Sequence, residues 1–402
     1  MRESSKTAWE LDSDLWGGVE TMRTAGARRI PLLANEAWDK WRIRVNQARL
    51  YPAYKDSIAS LAGRLRESNL SPAEDAPQAL ADWFWAQKPA DLLHAVDIDG
   101  LRHGESYLLV DENIQHIPAP DMLEAWPESG RPTYIRFQRK ITQPAGGEPV
   151  TIIYEMREIN AVVEIAEYID GKVKAARTVP APLRCVRFEY SENQRPYFEQ
   201  LAYLAAAYWN SASMQQHALG FSRFNIISGN DIPADIMTMG VGPSTMISLP
   251  EGSGLSVLEG GGAGIEAGER DLAELVRQMD AIGVGPMQAD GLRQTATETN
   301  RDATVTDAPI KRLADMRLEA VNQVARYAAA LLGLPAGDDV FYITGSNEFA
   351  PIQPGGVADL VQLFAAGVLD AQTVREAAVI AVPALRGVDP AEIAARIDAG
   401  AL

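Results

Sequence analysis

The hydrophobic period of this 402-residue chain changes twice, and those two changes bound what it can fold into. Up to about residue 103 the apolar residues recur at helical spacing. Between about 104 and 190 the chain reads ESYLLVD, PTYIRFQRKI, PVTIIYEMRE, NAVVEIAEYI and PLRCVRFEY, segments rich in β-branched and aromatic residues. Helical spacing then returns at about residue 197. Two turn signals punctuate the strand-like region: Gly146 with Gly147, and Asp170 with Gly171, the second suited to a type I′ hairpin. The pattern predicts an α+β chain with an antiparallel sheet between helical regions. A chain of this length exceeds one ordinary core, so two or three structural regions are expected.

Local signals place the helices. Trp38, Trp41, Val45 and Leu50 fall at near-helical spacing, with Asn35 as N-cap and Pro52 as the break. The stretch SNLSPAEDAP at 68–77 reads as a loop. Leu201, Leu204, Ala205, Tyr208 and Ala212 share one face of a helix over 197–219, with Gly220 at its C′ position. A further helix from about Glu269 aligns Leu272, Leu275, Val276, Met279 and Ile282, and ends at Gly283. Pro309 fits the first turn of a long helix carrying Ile310, Leu313, Met316, Val324, Ala328 and Leu331, closed by Gly333. A short strand, DVFYIT, follows, then small helices containing FAAGVLDAQTVREAA and DPAEIAARI. No repeat of 20–50 residues is present.

The chemistry excluded is as informative. Hydrophobic and charged contents of 47% and 23% are those of a globular protein. No apolar run reaches the roughly 18–20 residues that span a bilayer, and MRESSKTAWELDSD lacks the layout of a signal peptide. His94, His103, His116 and His217 show no HxxxH spacing, which argues against a zinc site. The single cysteine, Cys185, forbids an internal disulfide and reads as a small core residue. No G-x-S-x-G elbow is present. Gly262, Gly264 and Gly268 come near a dinucleotide fingerprint, but the last glycine is one residue late. Glu269 and Arg270 stand where a phosphate loop would need Lys and Ser or Thr. GGGAGIEAG at 260–268 therefore reads as a turn between a strand and a helix. Asp231 and Asp235 lack a third ligand for a cation. No catalytic site, metal site or cofactor emerges.

One stretch resists a purely structural account. QTATETNRDATVTDAP at 294–309 is polar and threonine-rich, yet lies between two strongly helical segments. Long structureless loops inside compact domains are uncommon and usually functional or disordered.

The order of these elements resembles the portal protein of tailed bacteriophages and prophages, the ring at one capsid vertex through which DNA enters and leaves. The residues that carry the resemblance are LWGGVETMRTAGARRIPLLANEAWDKWRIRVNQARLY, HGESYLLVD, RPYFEQLAYLAAAYWNSASMQQHALGFSRFNIISG, SLPEGSGLSVLEGGGAGIEAGERDLAELVRQMDAIGVGP, TATETNRDATVTDAPIKRLADMRLEAVNQVARYAAALLG and FAAGVLDAQTVREAA. It implies an α+β portal-like fold: a helical and antiparallel β wing, a compact α/β stem and clip, a long central helix and a small helical crown. The corresponding regions are 1–196 for the wing, 197–285 for stem and clip, 286–308 for the tunnel loop, 309–355 for the central helix and return to the wing, and 356–402 for the crown. The stretch after 356 and the segment 220–268 are short for the family, so crown and clip should be small.

The resemblance gives the threonine-rich stretch a role. It implies that Arg293, Gln294, Thr295, Thr297, Glu298, Thr299, Asn300 and Arg301 face DNA in a channel. Arg293, Arg301 and Glu298 offset one another in charge, so such a loop touches DNA without gripping it. The net charge of −17 argues against tight non-specific DNA binding, and suits a conduit that must not hold its cargo. Leu272, Leu275, Met279 and Ile282 are expected at a helix-packing or subunit interface. The implied partners are further copies in a dodecameric ring, the terminase large subunit, the major capsid protein, head-tail adaptor proteins and double-stranded DNA in transit. No membrane, cofactor or metal is implied, and the location is the virion, with assembly in the host cytoplasm. Two alternatives remain at this point: an enzyme binding a phosphate-bearing ligand at 260–268, and another capsid-associated adaptor protein.

Overall fold

The computed structural model describes residues 3–34, 36–67, 69–127, 130–142, 149–191, 194–223, 226–230, 254–258, 262–283, 296–335 and 337–344. The helices are α1 (Glu3–Trp16), α2 (Val19–Ala25), α3 (Trp38–Gln47), α4 (Ala53–Glu67), α5 (Gln78–Ala86), α6 (Pro89–His103), α7 (Glu199–Arg223), α8 (Gly262–Ile282) and α9 (Ala296–Leu332). The strands begin with β1 (Asn69–Pro72), β2 (Glu105–Val110), β3 (Ile114–Ile117), β4 (Met122–Trp126), β5 (Tyr134–Ile141) and β6 (Val150–Ile159). They continue with β7 (Val162–Ile169), β8 (Lys172–Pro180), β9 (Cys185–Glu189), β10 (Ile226–Asn230), β11 (Gly254–Leu258) and β12 (Phe341–Thr344). Every strand pairing among the described residues is antiparallel, so the α+β expectation holds.

Two compact units divide the chain. The first joins residues 1–60 with 193–288, and the second joins 61–192 with the described part of 289–402. In the first unit α7 is the central element, with α1, α3 and α8 packed against it. Leu201, Ala205 and Trp209 of α7 are buried, as are Leu11, Leu15, Tyr54 and Ile58. The Gly220 expectation fails here, because α7 runs on to Arg223. One glycine costs a helix only about 1 kcal/mol, too little to end it.

In the second unit β4–β8 form a five-stranded meander, and β3, β2 and β9 form a smaller sheet. The two sheets share one core: Tyr107, Leu109, Ile117 and Cys185 pack with Ile135, Phe137, Met156 and Val163. Asp170 and Gly171 have φ of 51° and 73°, the positive pair that a type I′ turn requires. On β8 nearly every side chain is exposed, and Lys172 and Lys174 blunt this edge against stray pairing. The stretch expected as a loop at 68–77 instead contributes β1, which pairs with β12 some 270 residues away in sequence. No local pattern reports such a partner.

Two helix starts also differ from expectation. α8 begins at Gly262, so GAGIEAG forms its first two turns rather than a turn before it. Gly268 shows why: a Cβ there would lie 2.0 Å from the Gln215 side chain on α7, so the glycine serves close helix approach. α9 is continuous from Ala296 through Pro309, so this proline lies inside the helix and not in its first turn. Threonine costs only a few tenths of a kcal/mol per residue in a helix, and each residue added to an existing helix gains a hydrogen bond. Pro309 offers no N–H, so the Val305 carbonyl has no donor at the i+4 position. The other end closes as expected, with Gly333 at φ 65° and the Leu334 N–H donating to Ala329 O at 2.9 Å.

Candidate functional site

Those positions singled out from sequence that are described lie on two helices, one in each unit. On α8, Met279 is fully buried, while Leu272, Leu275 and Ile282 are half-buried on the same side. This face packs against α7. The seam is pinned by Ser211 Oγ donating to Asp271 Oδ2 at 2.5 Å and Gln215 Nε2 donating to Ile265 O at 2.9 Å. Beyond the helix end, a Cβ on Gly283 would meet Ser57 Oγ at 2.5 Å, so this junction is also close-packed. The outer side of α8 carries Glu266, Glu269, Arg270, Glu274 and Arg277, all exposed.

The tunnel-loop positions divide. Arg293, Gln294 and Thr295 lie outside the described residues, whereas Thr297, Glu298, Thr299, Asn300 and Arg301 belong to the first turns of α9. The expectation of an irregular loop is corrected for that second group. At about 1.5 Å per residue the 37 residues of α9 span roughly 55 Å. From Ala320 to Ala329 every residue is buried except Gln323 and Arg326, which are half-buried. Leu331 is exposed, contrary to its place in the expected apolar stripe. Asn322 ties this part of α9 to β12: its Oδ1 accepts from the N–H groups of Val340 (3.1 Å) and Phe341 (2.7 Å), and its Nδ2 donates to Phe341 O at 3.0 Å.

Buried ionic groups, which the sequence reading passed over, hold each unit. In the first, Arg44 of α3 grips Glu36 through Nε (2.9 Å) and Nη2 (2.7 Å), and reaches Pro31 O at 2.7 Å and Ser213 Oγ at 3.3 Å. These hydrogen bonds outweigh burial and lower the Glu36 carboxyl to about 2. In the second, Asp97 of α6 accepts from Tyr190 Oη at 2.6 Å and lies 3.4 Å from Arg317 Nε of α9. Burial dominates there and raises the Asp97 carboxyl, although Arg317 and Tyr190 oppose it. Gly100 leaves room for this pair, since a Cβ at that position would strike the Tyr190 ring at 2.0 Å.

One cluster has the composition of a catalytic triad without its geometry. Ser106 Oγ lies 2.9 Å from His116 Nε2, and Asp99 Oδ2 lies 3.6 Å from that same nitrogen. A relay needs the acid on the opposite ring nitrogen and an accessible hydroxyl, and Ser106 is fully buried. Burial pushes Asp99 up, but hydrogen bonds from His103, His116 and the Ala119 N–H hold it well below the carboxylate range. The cluster is therefore a structural tie. Burial also pushes the Cys185 thiol up to about 12, which suits a core residue and not a nucleophile. Among the described residues no group of three or more His, Cys, Asp or Glu is placed to hold a metal ion. No helix among them is long and apolar enough to cross a membrane. Asp231 and Asp235 lie outside the described residues.

Residues 197–332, roughly a third of the chain, match the model of a family described as a domain of unknown function, DUF4055. None of the curated proteins matches this chain. Among solved structures, it is similar to a chain in the virion of a native gene transfer agent particle. That likeness covers 90% of this chain and 99% of the other, with a TM-score of 0.48 and 13% identity.

Proposed function

We propose that this protein is a structural subunit of a phage-like particle, and specifically its portal: a ring of about twelve copies at one capsid vertex that conducts DNA. The observation that carries the reading is the two-part character of α9. Its C-terminal part is embedded in a core and tied to β12 by Asn322, while residues 296–308 are small and polar in sequence. A helix anchored at one end and polar at the other suits a wall segment that DNA slides past. The resemblance in the order of elements supports the same reading, as does the acidic balance, since a conduit gains nothing from gripping phosphates.

On this reading the work is mechanical. A terminase docks on the ring and hydrolyses ATP, the present chain serves as socket and channel, and adaptor proteins later take the terminase's place. Electron microscopy of the purified protein, with mass by light scattering, tests the proposal. A ring of about twelve subunits around a central hole is expected. A chain that stays monomeric at every concentration and salt would overturn it. Shortening 286–308 is expected to spare the ring but reduce packaged genome length, and normal packaging in that variant would remove the channel role from this segment.

A further inference from the structure

The first unit has a charge distribution that the chain as a whole conceals. Residues 21–55 hold eight Lys and Arg against two acids; Arg23, Arg28, Arg29 and Arg44 are paired with Glu20, Asp14 and Glu36, which leaves Lys40, Arg42, Arg49 and Lys55 as the cationic surface. Lys40, Arg42 and Arg49, on and just after α3, are exposed and make no ion pair among the described residues. Beside them Trp38 is 59% exposed with one ring face stacked on Trp41 at 4.5 Å, and Ile43 is 47% exposed. A cationic surface with an open indole is costly to leave uncovered and is typical of the anchors that dominate protein interfaces.

α8 carries the opposite character. It holds five acids and two arginines. Glu266, Glu269 and Ala273 recur at spacings of three and four and all are exposed, so they form one outward stripe, while Asp280 two turns on accepts from Tyr51 Oη at 3.0 Å. Glu269 makes no ion pair among the described residues, and Glu266 has only the solvent-exposed Arg270 one turn away.

α7 separates the two surfaces. It meets α3 through Ser213, which accepts from Arg44, and meets α8 through Ser211 and Gln215. At about 100° per residue, Ser213 lies roughly 160° around the helix from both Ser211 and Gln215. Near Ser211 to Gln215 the Lys40 and Arg42 surface and the Glu266 and Glu269 surface therefore flank α7 on opposite sides, within one compact unit. A subunit with a cationic flank and an anionic flank has the complementarity that a heterologous contact needs, and a heterologous contact that closes is a ring.

We propose that α3 and α8 are the two halves of a head-to-tail contact between copies of this chain. The surface around Trp38, Lys40 and Arg42 of one copy receives the Glu266 and Glu269 stripe of the next. The proposal rests on the ring reading above and adds which surfaces close the ring. Because both surfaces are solvent-exposed before docking, the contact steers association and weakens as salt screens it.

The test uses the full chain with one flank reversed at a time: Lys40→Glu with Arg42→Glu, and separately Glu266→Lys with Glu269→Lys. Alone, each variant brings like charges together at every contact, so the ring fraction should fall at least about tenfold by light scattering. Mixed in equal amounts, the two should assemble into alternating rings, because each contact then pairs opposite charges again. That rescue also excludes misfolding as the cause of either loss. Wild-type-like assembly of either variant alone, or a mixture that stays dissociated, overturns the proposal while the ring reading stands. A mixture that stops at two-chain particles replaces the head-to-tail contact with a two-fold one. A wild-type chain that forms no ring sinks the portal reading itself, which separates the two failures.

Discussion

Arg44 with Glu36 in the first unit and Arg317 with Asp97 in the second are buried pairs of arginine and carboxylate, and the two behave in opposite ways. Arg44 meets Glu36 with two hydrogen bonds under 3 Å, and its remaining donors reach Pro31 O and Ser213 Oγ. Arg317 lies 3.4 Å from Asp97 Oδ2, an oxygen that receives no hydrogen bond, while the guanidinium donates to the Leu65 carbonyl. The first carboxyl is lowered to about 2 by its arginine, and the second is raised by burial in spite of its own. Proximity of opposite charges thus does not decide the ionisation of a buried pair. Hydrogen-bond geometry and depth of burial decide it together: Glu36 takes two directed bonds from its arginine at a half-buried site, whereas Asp97 is fully enclosed and faces its arginine at 3.4 Å.

The largest expected effect is at the well-bonded pair. Arg44→Ala removes four hydrogen bonds and leaves the Glu36 carboxylate and the Pro31 carbonyl without their donor, and should cost about 3–5 kcal/mol in urea denaturation. Arg317→Ala should cost less, about 1–3 kcal/mol, since Asp97 can protonate and keep its bond to Tyr190. Equal losses at the two sites would break the contrast. Tyr190→Phe then reads the charge on Asp97 directly. A bond to a neutral carboxyl is worth about 0.5–1.5 kcal/mol and one to a carboxylate about 1.5–3. The loss is expected to grow as pH rises, from about 1 kcal/mol where Asp97 is protonated towards about 3 where it is ionised, and a loss independent of pH would break this reading.

Both pairs are partly legible in sequence. Trp41, Arg44, Val45 and Ala48 are buried at spacings of three, four and seven, so Arg44 occupies a slot on an apolar stripe. Asp97 does the same among Leu93, Val96 and Leu101, and Arg317 among Ile310, Leu313 and Val321. A charge on such a stripe signals a buried partner; Arg44 finds its own eight residues away at Glu36, whereas Asp97 and Arg317 meet across more than 200 residues. The sheets are legible for the opposite reason, because period-two patterning and Asp170 with Gly171 act locally. The pairing of β1 with β12 and the glycine start of α8 are not, since each is decided by a distant segment: β12 in one case, Gln215 in the other. Of the candidate site, the shared face of Leu272, Leu275, Met279 and Ile282 is legible, whereas the helical state of 296–308 is hidden behind threonine-rich composition and a proline.

The smallest effects are the pH dependences, and their signs distinguish the pairs. Glu36 has a folded value near 2 against an ordinary 4.5, so the folded state holds this proton more weakly than the unfolded state. Its contribution is complete above about pH 4.5 and is lost as pH falls towards 2. Asp97 is displaced the other way from 3.8, so its contribution is complete below that value and fades as pH rises through its folded value. Glu36→Gln should therefore flatten the acid limb of a stability–pH profile between about 4.5 and 2. Asp97→Asn should instead remove a decline that begins above 3.8. Denaturant midpoints taken every half pH unit for the three proteins separate these changes. If both variants altered the same limb in the same direction, Asp97 would be a paired carboxylate like Glu36, and the long 3.4 Å contact would be enough to keep it ionised.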